Sequence, residues 1–180
     1  EPIRSVPVRM RAGHLSRQVV VSGIPDNPRL QRVVDLSGRA VALPSAGLVL
    51  SGALAKALYV VPGSMVDVEV LEGRRVTRRV VVAGVVDEYL GLSAYMTADA
   101  VRALLQEGGI VSGAHLLIDP RAEADLFRRL KVMPAVAGVA LTRAMLESFN
   151  ATMGEQMGVM ITFNVLFASI IAFGVVYNAA

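Results

Sequence analysis

The chain has 180 residues, of which 54% are hydrophobic and 18% charged, and its formal net charge is +3. The absence of Cys excludes a disulfide scaffold and any thiolate metal site. Arg carries almost all of the positive charge, since Lys56 and Lys131 are the only lysines. A chain rich in Ala, Val, Gly and Arg is typical of a GC-rich gene, so the charge does not by itself indicate a nucleic-acid surface.

The first 46 residues predict a β-hairpin followed by a loop. Residues 4–11 and 17–24 alternate apolar and polar side chains on either side of a turn that contains Gly13. Residues 25–28 begin and end with Pro and predict a loop, and residues 29–34 predict a short helix.

The middle of the chain predicts strands and two capped helices. A short strand ends at Leu50, and Ser51 is placed to cap a helix that ends near Leu58. Strands follow at residues 66–70 and 74–86, and a two-residue turn at Glu72-Gly73 would set Asp67 opposite Arg78. A strand at 93–96 and a helix at 97–105, capped by Thr97, complete this part.

Residues 113–141 predict a β-α-β unit, with strands at 113–118 and 136–141 around a helix at 121–131. We expect the N-terminal hairpin to pair with this unit. Residues 47–106 would then form a lobe inserted into the first one. The predicted fold class is therefore α+β with two lobes.

The C-terminal quarter predicts one continuous helix. Residues 144–156 are amphipathic, with an apolar stripe of Leu146, Phe149, Met153 and Met157. Residues 157–180 are 24 positions without a charged side chain. They would span roughly 36 Å at ~1.5 Å per residue, against a hydrocarbon core of about 30 Å. The pattern predicts a stalk helix, residues 144–156, that continues as a transmembrane helix, residues 157–180.

Two pairs of small residues in this helix have the four-residue spacing that lets membrane helices approach closely, and chance in an Ala- and Gly-rich chain is the alternative. They are Gly154 with Gly158 and Ala168 with Ala172.

No residue pattern predicts catalysis, a cofactor or a metal. His14 and His115 lack flanking ligands, and Asp87 and Glu88 would point to opposite faces of a strand. Ser51 is not in a nucleophile elbow, and no phosphate-binding loop occurs. The basic residues 74–79 lack the interleaved aromatic side chains that stack on nucleic-acid bases. The sequence predicts no enzyme and no nucleic-acid partner.

Three segments resemble the extracytoplasmic core of MacB-type and FtsX-like ABC transporter permeases. They are LVLSGALAKAL, PGSMVDVEV and VVVAGVVDEY, and the tail FNVLFASIIAFGVVYNAA is similar to the start of the FtsX-like membrane region. The matching positions are Ser51, Ala55, Pro62, Gly63, Val66, Val68 and Gly84. Tyr59 and Ser64 depart from the pattern, which usually has a Gly and an acidic residue there.

The resemblance implies a porter-like lobe of residues 1–46 and 107–143 and a sabre-like lobe of residues 47–106. It implies a permease subunit in the bacterial inner membrane, with this domain on the periplasmic or extracellular side. ATP-driven motion would act on envelope cargo such as a lipoprotein, peptide or drug. The implied partners are a cytoplasmic ATPase subunit, a second permease copy or half, a periplasmic adaptor or cargo protein, and lipid. The alternative is an FtsX-type interaction module that regulates a cell-envelope hydrolase without transport.

Overall fold

The computed structural model describes the backbone of residues 1–88 and 91–179, and side chains for all of these except 146, 150–156 and 172–179. The chain divides into two units, Glu1–Leu117 and Ile118–Ala180.

The first unit is built from seven strands and two helices. In chain order they are β1 (Pro2–Ala12), β2 (Leu15–Ile24), β3 (Leu48–Ser51), α1 (Gly52–Leu58), β4 (Met65–Val70), β5 (Thr77–Val86), β6 (Ser93–Thr97), α2 (Ala98–Leu105) and β7 (Gly113–Ala114). Strand β1 pairs with both β2 and β4, which closes the order β1-β2-β6-β3-β5-β4 into a ring. The unit is therefore a six-stranded barrel with β7 attached to β1.

Alternate side chains of the strands fill the barrel, as the two-residue period of a strand requires. Both helices add their apolar faces to the same core, through Leu54 and Leu58 of α1 and Val101 of α2. The fully buried strand residues include Val6, Val8, Met10, Val21, Leu48, Leu50, Val66, Val68 and Val82. These aliphatic side chains supply most of the apolar burial that stabilises the unit.

The two halves of the barrel repeat one order of elements, β1-β2-β3-α1 and β4-β5-β6-α2. Corresponding pairings match: both hairpins are antiparallel, and β2–β6 and β5–β3 are both parallel. In the central pair Met10 lies opposite Val68, and these two residues hold equivalent positions, because Met10 pairs with Arg17 in the first hairpin and Val68 with Arg78 in the second. The first unit therefore has pseudo-two-fold symmetry.

The sequence carries the same repeat. Residues 17–26 read RQVVVSGIPD and residues 78–87 read RRVVVAGVVD. The caps of the two helices also correspond, because Ser51 and Thr97 have the same extended backbone. Tyr59 and Gln106 both end their helices with a left-handed φ of 53°. An internal duplication explains both likenesses, and the sequence analysis did not detect it.

The structure does not show the predicted two-lobed arrangement. Strands β1 and β2 of the predicted porter-like lobe pair with β4 and β6 of the sabre-like segment within one ring. The barrel closes only when strands from both segments bury their Val-rich faces together. Patterns within a few neighbouring residues do not predict such pairing between distant strands. The assignment of residues 1–46, 47–106 and 107–143 to domains stays a prediction.

Two predicted elements are wrong, and a third is shorter than predicted. Residues 29–34 form no helix, and the one regular feature there is a β-bridge between Val34 and Ala40. Strand β7 has only two residues, and residues 136–141 form no strand, so the predicted β-α-β unit is absent. None of residues 136–141 is buried, so no burial accompanies the alternation of apolar side chains that predicted the strand.

The β4–β5 hairpin differs in register from the prediction. Asp67 lies opposite Arg79, with their side chains 3.0 Å apart, whereas Arg78 lies opposite Val68. The connection is longer than two residues, because the Val70 N–H donates to the Val76 carbonyl oxygen and the loop lies between them. Gly73 and Arg75 in this loop both have positive φ.

The second unit is helical. A 3-10 turn at Pro120–Ala122 leads into α3 (Glu123–Lys131), and α4 (Thr142–Ala179) follows. One helix thus runs through the predicted stalk and through residues 157–179 of the predicted span. Its role as a stalk stays a prediction.

Candidate functional site

The described middle of α4 is apolar and uncovered. Residues 157–171 contain no charge, and every large apolar side chain among them is between 53% and 68% exposed. The two hydroxyl groups in this stretch bond to their own helix, Thr162 to the Gly158 carbonyl and Ser169 to the Val165 carbonyl. These bonds leave the helix surface with few groups that need water.

Among the residues with described side chains, no helix meets the length and apolarity of a membrane span. The predicted span, residues 157–180, includes residues 172–180, whose side chains lie outside this described part of the chain.

The predicted helix-packing residues are only partly described. Phe149, Met157, Gly158 and Ala168 are exposed, and a Cβ on Gly158 would meet no atom within 4 Å. Four others, Leu146, Met153, Gly154 and Ala172, lie outside the described side chains. The helix-packing role of all eight residues stays a prediction.

The chain enters and leaves the barrel unit at one place. Pro2 lies opposite Ala114 and Ile3 opposite Gly113 in the antiparallel β1–β7 pair. At the same point the N-terminal amino group donates to the His115 carbonyl oxygen, and the His115 N–H donates to the Glu1 carbonyl oxygen. The N-terminal end of β1 and the segment that leaves the barrel therefore lie side by side.

An ionic cluster fastens the departing chain to β1. The Arg4 guanidinium is 2.8 Å from the Glu107 carboxylate and 2.5 Å from that of Glu72, and its side chain is only 11% exposed. Arg4 also donates to Ser112 Oγ at 2.9 Å, and this hydroxyl bonds both the N–H and the carbonyl of Ser5. The sequence analysis missed this cluster, because Arg4 and Glu107 are 103 positions apart and no local pattern links them.

The long β2–β3 connection, residues 25–47, is the largest difference between the two halves of the barrel. Its equivalent between β5 and β6 spans only residues 87–92. The long loop packs Val33, Val41 and Leu43 against the outside of the barrel and borders a cavity of about 570 Å³. The barrel symmetry does not require this loop, and long ordered loops are often functional.

Two carboxylates shape this loop through backbone N–H groups. Glu1 accepts from the N–H groups of Arg29 and Leu30, and these bonds, the one from Arg29 first, lower the Glu1 pKa. Asp35 accepts from the Ser37 hydroxyl and from the N–H groups of Ser37 and Arg39. The Ser37 hydroxyl contributes most to lowering the Asp35 pKa to about 2.

We expect Asp35→Asn to loosen the turn at residues 35–39 at neutral pH and to change little near pH 2. The folded-state pKa of Asp35 lies below its usual value, so its stabilising effect is present above about pH 4 and is lost as pH falls through about 2. Amide exchange of Arg39 and Val41, measured from pH 5 to pH 2, tests this.

Asp26→Asn is the matched control in the same loop, because within the described residues Asp26 has no recorded hydrogen bond or ion pair. A difference from wild type that persists unchanged at pH 2 would contradict the role assigned to the Asp35 carboxylate.

The remaining residues that were considered for catalysis or metal binding have other roles or lie at the surface. Ser51 is buried and caps α1, as predicted. The His115 Nε2 is 2.9 Å from the Gln31 amide oxygen, and His14 lies exposed at the β1–β2 turn. Within the described residues, no three His, Cys, Asp or Glu side chains are grouped as metal ligands.

No protein-family model matches the chain, and no curated protein matches it. Among solved structures, it is similar to the extracellular domain of YknZ, a noncanonical ABC-type transporter from Gram-positive bacteria. The identity is 17% and the TM-score is 0.44, over 59% of this chain and 57% of that chain. The chain thus matches a little over half the length of that domain.

Proposed function

We propose that this chain is the extracytoplasmic domain of an ABC transporter permease subunit and that residues 157–180 enter the membrane. The observation that carries the proposal is the charge-free stretch of α4, whose large apolar side chains at residues 157–171 are all more than half exposed. Contiguous apolar surface of this extent is unfavourable in water and favourable in lipid.

The side-by-side connections of the barrel support the same proposal. A domain held between two membrane helices needs its first and last residues on the same side. The antiparallel pair of β1 and β7 places the first and last strands of the barrel unit together in this way. The resemblance to MacB-type and FtsX-like permeases supports the class of membrane protein proposed here. Its matching residues have identifiable roles in the fold: Ser51 caps α1, and Gly63, with φ of 92°, donates its N–H to the Val82 carbonyl.

In this proposal the domain works mechanically and is not an enzyme. A cytoplasmic ATPase subunit supplies the energy, because the chain has no phosphate-binding loop. A second permease copy or half completes the transporter, and motion of α4 acts on the barrel outside the membrane. The cargo is an envelope lipoprotein, peptide or drug. A co-purifying cell-wall hydrolase with no detectable export would favour the FtsX-type regulatory module instead.

We expect the 180-residue chain to float with liposomes and a chain ending at residue 155 to remain in the aqueous fraction. Leu166→Lys should strongly reduce flotation of the full chain, because one charge at the centre of a span costs about 3 kcal/mol. Density-gradient flotation with purified protein measures this.

Phe149→Lys is the control, since it adds the same charge to the same helix outside the predicted span and should float like wild type. A full chain that stays monomeric in plain buffer and does not float would refute the membrane assignment.

A further inference from the structure

The segment that joins the barrel to the second unit, residues 107–117, lies along the barrel without belonging to it. It follows α2 and contains Gly108 and Gly109, around which a Cβ would meet no other atom. Ile110, Val111 and Leu117 are more than half exposed. The segment borders a cavity of about 160 Å³ between itself, β1 and α2, so it does not pack tightly on the barrel.

Two sets of contacts of unequal strength hold the segment. Toward its C-terminal end are the two residue pairs of β1–β7 and the two bonds between Glu1 and His115. Toward its N-terminal end Arg4 of β1 pairs with Glu107 and donates to Ser112, both in the segment, and Glu72 of the β4–β5 loop shares the same guanidinium. The Arg4–Glu107 bond joins two charged groups in a nearly buried position, whereas the bond from the charged N-terminal amino group ends on a neutral carbonyl oxygen and the other Glu1–His115 bond joins two neutral groups. The ionic cluster is therefore the firmer attachment.

We infer that residues 107–117 form a strap that detaches from the barrel under tension, while the barrel itself stays closed. The Arg4 cluster sets the force at which the strap opens. The inference rests on the proposed function only for the origin of the tension, which would come from movement of α4.

The direction of pulling makes the strap the first part to yield. Strands β1 and β7 are antiparallel, and the chain on either side of the pair leaves from the same end. Tension between residue 1 and residue 117 therefore opens the pair one contact at a time, beginning at Glu1 and His115. The barrel resists, because from Arg4 onward β1 is also paired with β2, and it pairs with β4 at residues 8–11.

The opening has a defined length. Residues 107–117 and 1–3 would be freed, and these 14 residues extend to roughly 50 Å at ~3.6 Å each. Unfolding of the barrel would free about 100 further residues, or roughly 370 Å by the same measure. The two events are easily distinguished.

Optical tweezers test the inference on the full chain held in lipid nanodiscs. The chain has no native Cys, so Leu117→Cys, at a side chain that is 85% exposed, and an N-terminal tag give unique attachment points. We expect a reversible extension of roughly 50 Å at a force below that of barrel unfolding. Arg4→Met should speed this opening by about tenfold or more at a fixed force, because Glu72 and Glu107 lose their shared partner.

Glu107→Gln provides a second test in case Arg4→Met fails to fold, and it should also speed the opening. Arg9→Met is the matched control, because Arg9 lies on β1 like Arg4. The substitution removes the ion pair of Arg9 with Glu69 of β4, an ion pair that does not involve the strap. Opening of strap and barrel in one event would overturn the inference, as would equal acceleration by Arg9→Met or none by Glu107→Gln. Liposome flotation does not depend on the strap, so failure of the membrane assignment is seen separately.

Discussion

Gly47→Ala is expected to lower the free energy of unfolding of the barrel unit by about 3 kcal/mol or more. Gly47 precedes β3 with φ of 91°, a conformation that a residue with a side chain rarely adopts. A Cβ there would also lie 2.8 Å from the Ala83 Cβ and 3.0 Å from the Val81 carbonyl oxygen. Neither contact is relieved by rotating a flexible side chain, so strand β5 would have to move.

Gly38→Ala separates the two causes. Gly38 has a φ of 76° but open space around its Cβ position, so only the backbone strain of about 1–2 kcal/mol applies. Urea unfolding of both variants gives the comparison. Equal losses would show that contact with β5 contributes nothing at Gly47.

Ser51→Ala is expected to cost about 3 kcal/mol, more than a helix cap alone. The buried Ser51 hydroxyl accepts from the Leu54 N–H at 3.3 Å and from the Ser93 N–H at 3.0 Å, and it donates to the Gly91 carbonyl at 3.2 Å. Its loss therefore removes the cap of α1 and also releases the connection that leads into β6.

Thr97→Ala is the matched control, because Thr97 occupies the equivalent position in the second half of the barrel. Its hydroxyl accepts from the Ala100 N–H, so we expect a cost of about 1 kcal/mol, typical of a cap. Thermal and urea unfolding of the two variants measure the difference. A loss at Thr97 as large as that at Ser51 would contradict the added role of the Ser51 hydroxyl.

The sequence predicted the features that depend on neighbouring residues. The caps Ser51 and Thr97 and the alternation of Val66, Val68 and Val70 are all found in the structure. Each of these is decided within a few residues by a side-chain oxygen or by the period of a strand. The closed ring was not predictable in this way, because the pairing of β2 with β6 depends on residues about 70 positions apart.

The internal repeat was visible in principle. Residues 17–26 and 78–87 have the same Val-Val-Val and the same Gly and Asp at corresponding places. Two differences hide it: the connection before the third strand is long in the first half and short in the second, and the turns of the two hairpins differ in length. A search for repeats that allows such insertions would have predicted the symmetry, though not the Arg4 cluster.

The closed ring limits how other proteins can bind this domain. Every strand of the ring has a neighbour on both sides, and in the described chain β7, with two residues, is the one strand paired on a single side. A partner that adds a strand of its own, a common way of capturing extended peptides, is therefore restricted to β7 and to lengths of ring strands that pair on one side only, such as residues 15–19 of β2 and 77–81 of β5. Elsewhere on the barrel, recognition of a partner has to use side chains and loops.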